Sequence, residues 1–225
     1  MNRITVLLAD DHTVVRDGLR ALLDATPDIK VVGEAANGRL AVQMADKLQP
    51  EVVVMDVAMP QLNGVEATRQ ILRYTPNSKV LILSSYNDDE KVLQSIEYGA
   101  MGYVVKQDAS NELVKAIHEA KAGNAFFSPC ISKSLLQRCR QSYVTGHPPK
   151  SANDGLTSRE AEVVQLVAEG YANKQIADVL GLSIKTVEKH RQQLMDKLEI
   201  HDIAGLTRYA IARGIIERSV PLAVF

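Results

Sequence analysis

Three aspartates stand where short apolar runs end. Asp10 and Asp11 follow Ile4-Thr-Val-Leu-Leu-Ala9, and Asp56 follows Val52-Val-Val-Met55. Ser84 closes the run Val80-Leu-Ile-Leu83, and Lys106 follows Gly102-Tyr-Val-Val105. If these runs are neighbouring strands, three carboxylates, a hydroxyl and an amine share one edge of a sheet. At 4 Å and an effective dielectric near 20, two like charges repel by about 4 kcal/mol. A cation relieves that repulsion, and Mg²⁺ takes one or two carboxylates together with waters and a phosphate oxygen. Lys106 would hold a phosphoryl oxygen, and Ser84 offers a hydroxyl beside it. Taken singly, each residue has a plainer reading. An acid after a strand is usually a helix cap, a role open to Asp10 or Asp11. Lys106 alone reads as surface charge, and Ser84 alone carries nothing. It is their joint placement at strand ends that points to a site.

The elements that must position them follow from periodicity. With Val31-Val-Gly-Glu-Ala35 the apolar runs number five, and their nearly continuous hydrophobicity suits a parallel sheet buried on both faces. Residues 14–25, 40–48, 65–74, 90–98 and 112–122 carry apolar side chains at helical spacing. The fold class is α/β: a (βα)5, flavodoxin-like, doubly wound sheet of order 2-1-3-4-5. Strands one and three are then neighbours, and functional groups gather at the carboxyl ends.

Beyond Gly123 the pattern changes. Ser128-Pro129 opens a helix expected to reach about Gln141, since Pro is tolerated at a first helical position. Residues 145–155 are polar and rich in Pro and Gly, an exposed linker. Helices are expected at 158–169, 174–180, 184–198 and 203–213, with no strand pattern among them. The chain divides into an α/β domain (1–122), a connector helix and linker (123–153) and a small all-α four-helix domain (154–225).

In that last domain, 174–180, Gly181-Leu-Ser183 and 184–198 form helix, short Gly turn, helix, with Ser183 as N-cap. Val187, Leu194 and Leu198 project within about 20° of one another and make the inner face. Lys185, Lys189, Gln192 and Asp196 lie opposite, flanked by Glu188 and Gln193. Such a face can meet phosphates and base edges in a major groove, or be a solvated charged surface.

Bulk composition narrows the classes. The 225 residues are 46% hydrophobic and 24% charged, ordinary globular usage, with net charge −1. Residues 1–122 are net −4, residues 123–155 net +3 and residues 156–225 neutral, so no block is a basic nucleic-acid module. Weak non-specific DNA binding is expected unless two copies act together. No apolar run approaches the ~18 residues that cross a bilayer, and the start lacks a signal-peptide layout. Cys130 and Cys139 form no metal or redox spacing, and on one helix they stand too far apart to bridge. The expectation is a reduced, cytoplasmic protein without a membrane partner.

Residues 3–122 resemble the response-regulator receiver domain of two-component signalling. The likeness rests on Asp10-Asp11, Met55-Asp56-Val-Ala-Met-Pro60 with Gly64, Ser84, and Lys106 fifty residues after Asp56. It implies that Asp56 is the phosphoacceptor and that Asp11, Asp56 and the backbone carbonyl of Ala58 bind Mg²⁺. Asp10 would support the metal through the acidic pocket or water. Ser84 and Lys106 would hold the phosphoryl group, and Tyr103 matches an aromatic position that turns inward when the hydroxyl shifts. The plainer reading of Tyr103 is a buried sheet aromatic.

Residues 154–217 resemble the LuxR-type helix-turn-helix. The likeness is carried by Leu156-Thr-Ser-Arg-Glu160, Gly170, Asn173-Lys-Gln-Ile-Ala177, Ser183-Ile-Lys-Thr-Val-Glu-Lys-His190 and Lys197-Leu198. Together the two halves resemble the NarL/FixJ class. That resemblance turns Glu188, Lys189 and Gln192 towards bases and Lys174, Lys185 and Thr186 towards the backbone. His190 matches a family position better suited to packing or a phosphate, and Glu188 stands where some relatives carry Lys. The last helix, with Ala204, Leu206, Ala210 and Ile211, is a dimer contact in relatives or intradomain core. The implied protein is a transcription regulator, not an enzyme. Its partners would be a sensor histidine kinase, double-stranded promoter DNA, a second copy of itself on phosphorylation and, as a candidate, RNA polymerase. A constitutive DNA-binding protein whose receiver serves only protein contacts is the alternative. An aspartate-nucleophile phosphatase is disfavoured by adjacent rather than alternating acids and by the absence of a cap insertion. A flavin carrier is disfavoured because Asp10 and Asp11 would repel a flavin phosphate.

Overall fold

A computed structural model describes residues 3–85, 89–145 and 155–216. Its first half alternates β1 (Ile4–Ala9), α1 (Thr13–Asp24), β2 (Ile29–Ala35), α2 (Gly38–Leu48), β3 (Val52–Asp56), α3 (Gly64–Tyr74), β4 (Lys79–Ser84), α4 (Asp89–Glu97), β5 (Gly102–Val105) and α5 (Ala109–Ala122). The expected order β2-β1-β3-β4-β5 is present, and a sixth strand, β6 (Phe126–Phe127), pairs in parallel with β5. Two residues are too few to leave a periodic signal, which is why five strands were expected.

The sheet is buried on both faces because each strand is apolar throughout. Leu7, Val53, Met55, Ile82 and Tyr103 pack with Ala41, Ala45, Ile71 and Val92 on one side. Val6, Leu8, Val54, Leu83 and Val104 pack with Leu19, Leu23, Leu113 and Ile117 on the other. Burying a side chain of this size contributes roughly 1.5–3 kcal/mol, so these two layers hold the strand register. Ala9 sits beside Met55, Asp56 beside Leu83, and Ser84 beside Val105. The polar residues that follow each apolar run therefore meet at one edge.

α6 (Pro129–Thr145) begins at the proline, as expected, and runs past Gln141. Its Ile131 is buried in the sheet's core, and the Ser128 hydroxyl accepts a hydrogen bond from the Val105 N–H at 3.2 Å. The first turn of the connector is thus seated on the α/β domain. Residues 146–154 of the expected linker lie outside the described residues.

The second half comprises α7 (Ser158–Ala168), α8 (Asn173–Leu180), α9 (Ile184–Leu198) and α10 (Ile203–Ala212). Val163, Leu166, Val167, Ile176, Val187, Leu194, Leu206 and Ala210 form its core. α7 opens with a capping box: Thr157 accepts from the Glu160 N–H, and Glu160 accepts from the Thr157 N–H. Gly181 ends α8 at φ 63°, a left-handed conformation that costs glycine little, and lets the chain reverse into α9. Leu206 and Ala210 are fully buried, so these two belong to the domain's own core, while Ile203 and Ala204 on α10 are exposed.

Candidate functional site

The aspartate pocket is assembled from three loops at the carboxyl edge of the sheet. Asp10, Asp11, His12 and Asp56 each offer a ligand atom within 4.8 Å of the others. Asp10 and Asp56 are 1% and 3% exposed, whereas Asp11 is part-exposed. Lys106 reaches between them, with Nζ 2.7 Å from Asp10 Oδ2 and 2.9 Å from Asp56 Oδ2. The other Asp56 oxygen, Oδ1, accepts from the Val57 N–H at 2.8 Å. The loop after Asp56 is drawn tight: Gly64 N–H donates to the Val57 carbonyl at 2.8 Å. A Cβ on Gly64 would stand 1.8 Å from the Asp56 carbonyl oxygen, so only glycine allows this approach.

Burial pushes the Asp56 carboxyl up to about 6. Its repulsion by Asp10 and Asp11 adds to this, and Lys106 opposes it. Burial alone would lower Lys106, but attraction to Asp56 and Asp10 outweighs it and holds the ammonium above its ordinary value. Near neutral pH Asp56 is therefore mostly ionised, in a pocket it shares with two further carboxyl groups and one ammonium. Asp10 Oδ2 is buried against the Lys106 ammonium, and Asp11 Oδ1 is buried beside the His12 ring. Hard oxygen donors left in this state suit a divalent cation such as Mg²⁺.

Ser84 is buried at the end of β4, one register step beyond the residue beside Asp56. Ala58 lies two residues after Asp56 in the loop and is part-buried. Tyr103 is 1% exposed within β5, packed in the sheet's core. Neither Asp10 nor Asp11 caps α1, whose N-cap is His12; Asp10 Oδ1 instead accepts from the His12 N–H at 2.9 Å.

The second candidate surface lies on α9. Ser183 caps the helix, accepting from the Thr186 N–H, and Val187 and Leu194 anchor its inner side. Lys185, Glu188, Lys189, Gln192 and Gln193 are exposed on the outer side, Thr186 and His190 are half-buried, and Lys174 is exposed on α8. α9 is tied to α7 by Lys197, which donates to the Glu160 carboxylate at 2.8 Å and to the Gly155 carbonyl at 2.6 Å. Although burial alone raises Glu160, Lys197 and Thr157 hold it below the ordinary carboxylate range.

Comparison with known proteins agrees on both halves. The response regulator receiver domain family matches residues 6–118, and the luxR family of bacterial regulatory proteins matches residues 154–210. The transcriptional regulatory protein LiaR of Bacillus subtilis is 41% identical over 207 residues, covering 92% of this chain and 96% of that protein. The chain is a response regulator. The response regulator VraR of Staphylococcus aureus is 34% identical, over 95% of this chain and 99% of its own. Among solved structures, RcsB of Salmonella typhimurium superposes with a TM-score of 0.61 at 28% identity, over 95% and 99% of the two chains. An RcsB–DNA complex superposes at 0.57 and 28% identity, over 92% and 98%. The response regulator thus joins a receiver to a LuxR-type DNA-binding domain and is a transcription regulator rather than an enzyme. Among its described residues no helix is long and apolar enough to cross a membrane.

Some of the response regulator's contacts were not read from its sequence. His12 Nδ1 lies 2.8 Å from Asp11 Oδ1, a neighbour its position beside Asp10-Asp11 signalled. Arg16 holds the Asp10 backbone carbonyl at 2.7 Å while pairing with Glu34, a contact no local pattern announces. Glu162, Gln165 and Glu169 on and just beyond α7 are buried against the receiver, though helical spacing alone makes them an ordinary polar face.

Proposed function

We propose that Asp56 accepts a phosphoryl group from a sensor histidine kinase and that this event controls binding of the LuxR-type domain to promoter DNA. The observation that carries the reading is the convergence of Asp10, Asp11 and Asp56 with the Lys106 ammonium within ion-pair distance of two of them. Asp11, Asp56 and the Ala58 carbonyl are assigned to Mg²⁺, with Asp10 supporting it. When bound, Mg²⁺ offsets negative charge on the phosphoryl oxygens and the carboxylates. A carboxylate oxygen of Asp56 attacks phosphorus in line as the bond from phosphorus to the donor nitrogen breaks, and the donor imidazole leaves. Lys106 neutralises an equatorial oxygen and Ser84 donates to another. Tyr103 is assigned to the switch that reads the Ser84 shift.

On DNA, Glu188, Lys189 and Gln192 are assigned to base edges, and Lys174, Lys185 and Thr186 to the phosphate backbone. His190, half-buried, is assigned to packing or a phosphate rather than to a base. The phosphorylated protein acts as a homodimer on half-sites about 10 bp apart or a multiple. RNA polymerase is a further partner, and the compartment is the cytoplasm. Asp56→Asn abolishes labelling by a small phosphodonor, and retained labelling moves the acceptor elsewhere. DNA affinity measured with and without beryllofluoride tests the control; equal affinity refutes it. One observation favours constitutive DNA binding as a second reading: the outer face of α9 is exposed while Asp56 is unmodified. The same titration separates the two.

A further inference from the structure

A cleft of about 550 Å³ opens between α3 and the start of α7, a volume within the range of small-molecule sites. Four arginines line it: Arg39 from α2, Arg69 and Arg73 from α3, and Arg159 from α7. Residues 1–122, which supply three of the four, are net −4, so this positive charge is concentrated against the trend of its domain. Acids are scarce beside it. Arg39 and Arg159 divide one carboxylate, both donating to Glu162 Oε2, at 2.9 Å and 2.7 Å. The Arg39 Nε–H is buried with no hydrogen-bond partner among the described residues. Arg69 is held by Glu66 and by the Ser158 hydroxyl. Four guanidiniums thus face two carboxylates, a surplus of two positive charges.

Arg73 stands one helical turn beyond Arg69, a spacing at which like charges repel. Among the described residues it meets no carboxylate; its guanidinium lies over the Tyr74 ring, 5.8 Å from the centre. Tyr74 itself is 62% exposed at the edge of the cleft, and Leu180 of α8 adds an apolar stretch of wall. Guanidinium groups bind phosphate oxygens in pairs, and aromatic rings and guanidinium planes are the surfaces on which nucleobases stack. A phosphate monoester carries about −1.5 to −2 charges near neutral pH, which matches the surplus.

We propose that this cleft binds a nucleoside monophosphate, its phosphate among the guanidiniums and its base against Tyr74. Contacts that served only to join two domains would match each guanidinium with an acid. Here Arg39 and Arg159 divide one, and Arg73 meets none. A phosphate supplies the acceptor oxygens that this surplus lacks and offsets the repulsion between Arg69 and Arg73. The site shares no residue with the aspartate pocket, so it stands apart from the phosphoacceptor reading.

The test is calorimetric titration of the full chain with AMP, GMP, inorganic phosphate and adenosine. Buffer containing EDTA keeps metal out of the aspartate pocket, so that pocket cannot supply the signal. The variants are Arg73→Ala, Arg159→Ala and Tyr74→Ala. Arg73 and Tyr74 are exposed, and without Arg159 the Glu162 carboxylate keeps Arg39, so the fold should survive; thermal unfolding checks it. Should Arg159→Ala unfold, Arg159→Lys, which keeps the charge and loses the guanidinium fork, takes its place. In wild type AMP or GMP should bind more tightly than either phosphate or adenosine. Arg73→Ala and Arg159→Ala should each weaken nucleotide and phosphate binding ~10-fold, the scale of a hydrogen bond to a charged group. Tyr74→Ala should weaken nucleotide binding ~10-fold, as loss of a stacked ring does, and leave phosphate binding unchanged. A wild type that binds neither nucleotide at millimolar concentration overturns the proposal, as does an affinity that no variant changes. Phosphate bound as tightly as the nucleotides overturns it too, leaving an anion site only. A single-stranded oligonucleotide that displaces AMP and binds more tightly through Arg73 would make nucleic acid the occupant, which also overturns it.

Discussion

In the aspartate pocket, charges from residues 10, 56 and 106 are brought within ion-pair distance and shielded from water. On α9, Lys185, Glu188, Lys189 and Gln192 come from eight consecutive residues and stand in solvent. Both surfaces are polar and both are assigned to phosphate-bearing partners, but their physics differs. Burial lets each pocket charge reset its neighbours, as the raised Asp56 and Lys106 values show. Exposure and salt screen the α9 charges, so each acts nearly alone. Pocket substitutions should therefore be drastic and interdependent, and α9 substitutions graded and close to additive.

The largest effect should come from Lys106→Ala. Losing the cation beside Asp10 and Asp56 should slow phosphoryl labelling of Asp56 by at least ~100-fold, as removal of one charge-stabilising donor does elsewhere. It should also raise the Asp56 carboxyl further above about 6, read by carbonyl NMR. Labelling at the wild-type rate would mean that the pocket is no more interdependent than the helix.

The pH response of the metal-free protein comes next. Asp56 is raised from 3.8 in an open chain to about 6 in the fold. Between those values the native state holds a proton that the unfolded state has released. Unfolding free energy should therefore fall as pH rises through this window and level off above it, by up to ~3 kcal/mol. Urea unfolding at stepped pH checks the slope, and Asp56→Asn should reduce it to the part left by Glu169, whose carboxyl burial also raises. No α9 substitution should.

On α9 itself, Gln192→Ala should cost about 1–3 kcal/mol on the preferred site and relax selectivity at one base pair. Lys185→Ala should weaken binding to all sequences alike and lower the salt slope by about 1. Equal loss at every sequence for Gln192→Ala would reassign that side chain to the backbone. Smallest is Ser183→Ala, which removes the α9 cap and should destabilise the helical domain by ~1 kcal/mol in thermal unfolding.

The legible parts share a physical property: each is written in a local run of residues. β1 and β3 show as apolar runs because both their faces are buried, and α9 shows as a two-sided helix because only one face is. Residues immediately after such runs, Asp10, Asp11, Asp56 and Lys106, can be placed at one edge once a parallel order is assumed. β6 was missed because two residues have no period. The α7 contacts leave no local signal because Glu162, Gln165 and Glu169 are polar helix residues whose cover comes from far earlier in the chain, Arg39 of α2 and Gln70 of α3 for Glu162 and the loop between β3 and α3 for the other two. α10 stood between two readings until packing placed Leu206 and Ala210 inside the domain.

Hydrophobic periodicity and the residue types at strand ends were enough to separate an α/β half from an all-α half and to name the chemistry each surface offers, because burial is imposed position by position along a run. Tertiary packing alone decided that Lys106 bridges Asp10 and Asp56, that Gln61 takes a left-handed turn, and that α7 grips the loop leaving the pocket. These depend on distance between segments remote in the chain, where desolvation and hydrogen-bond geometry act and no local pattern records them.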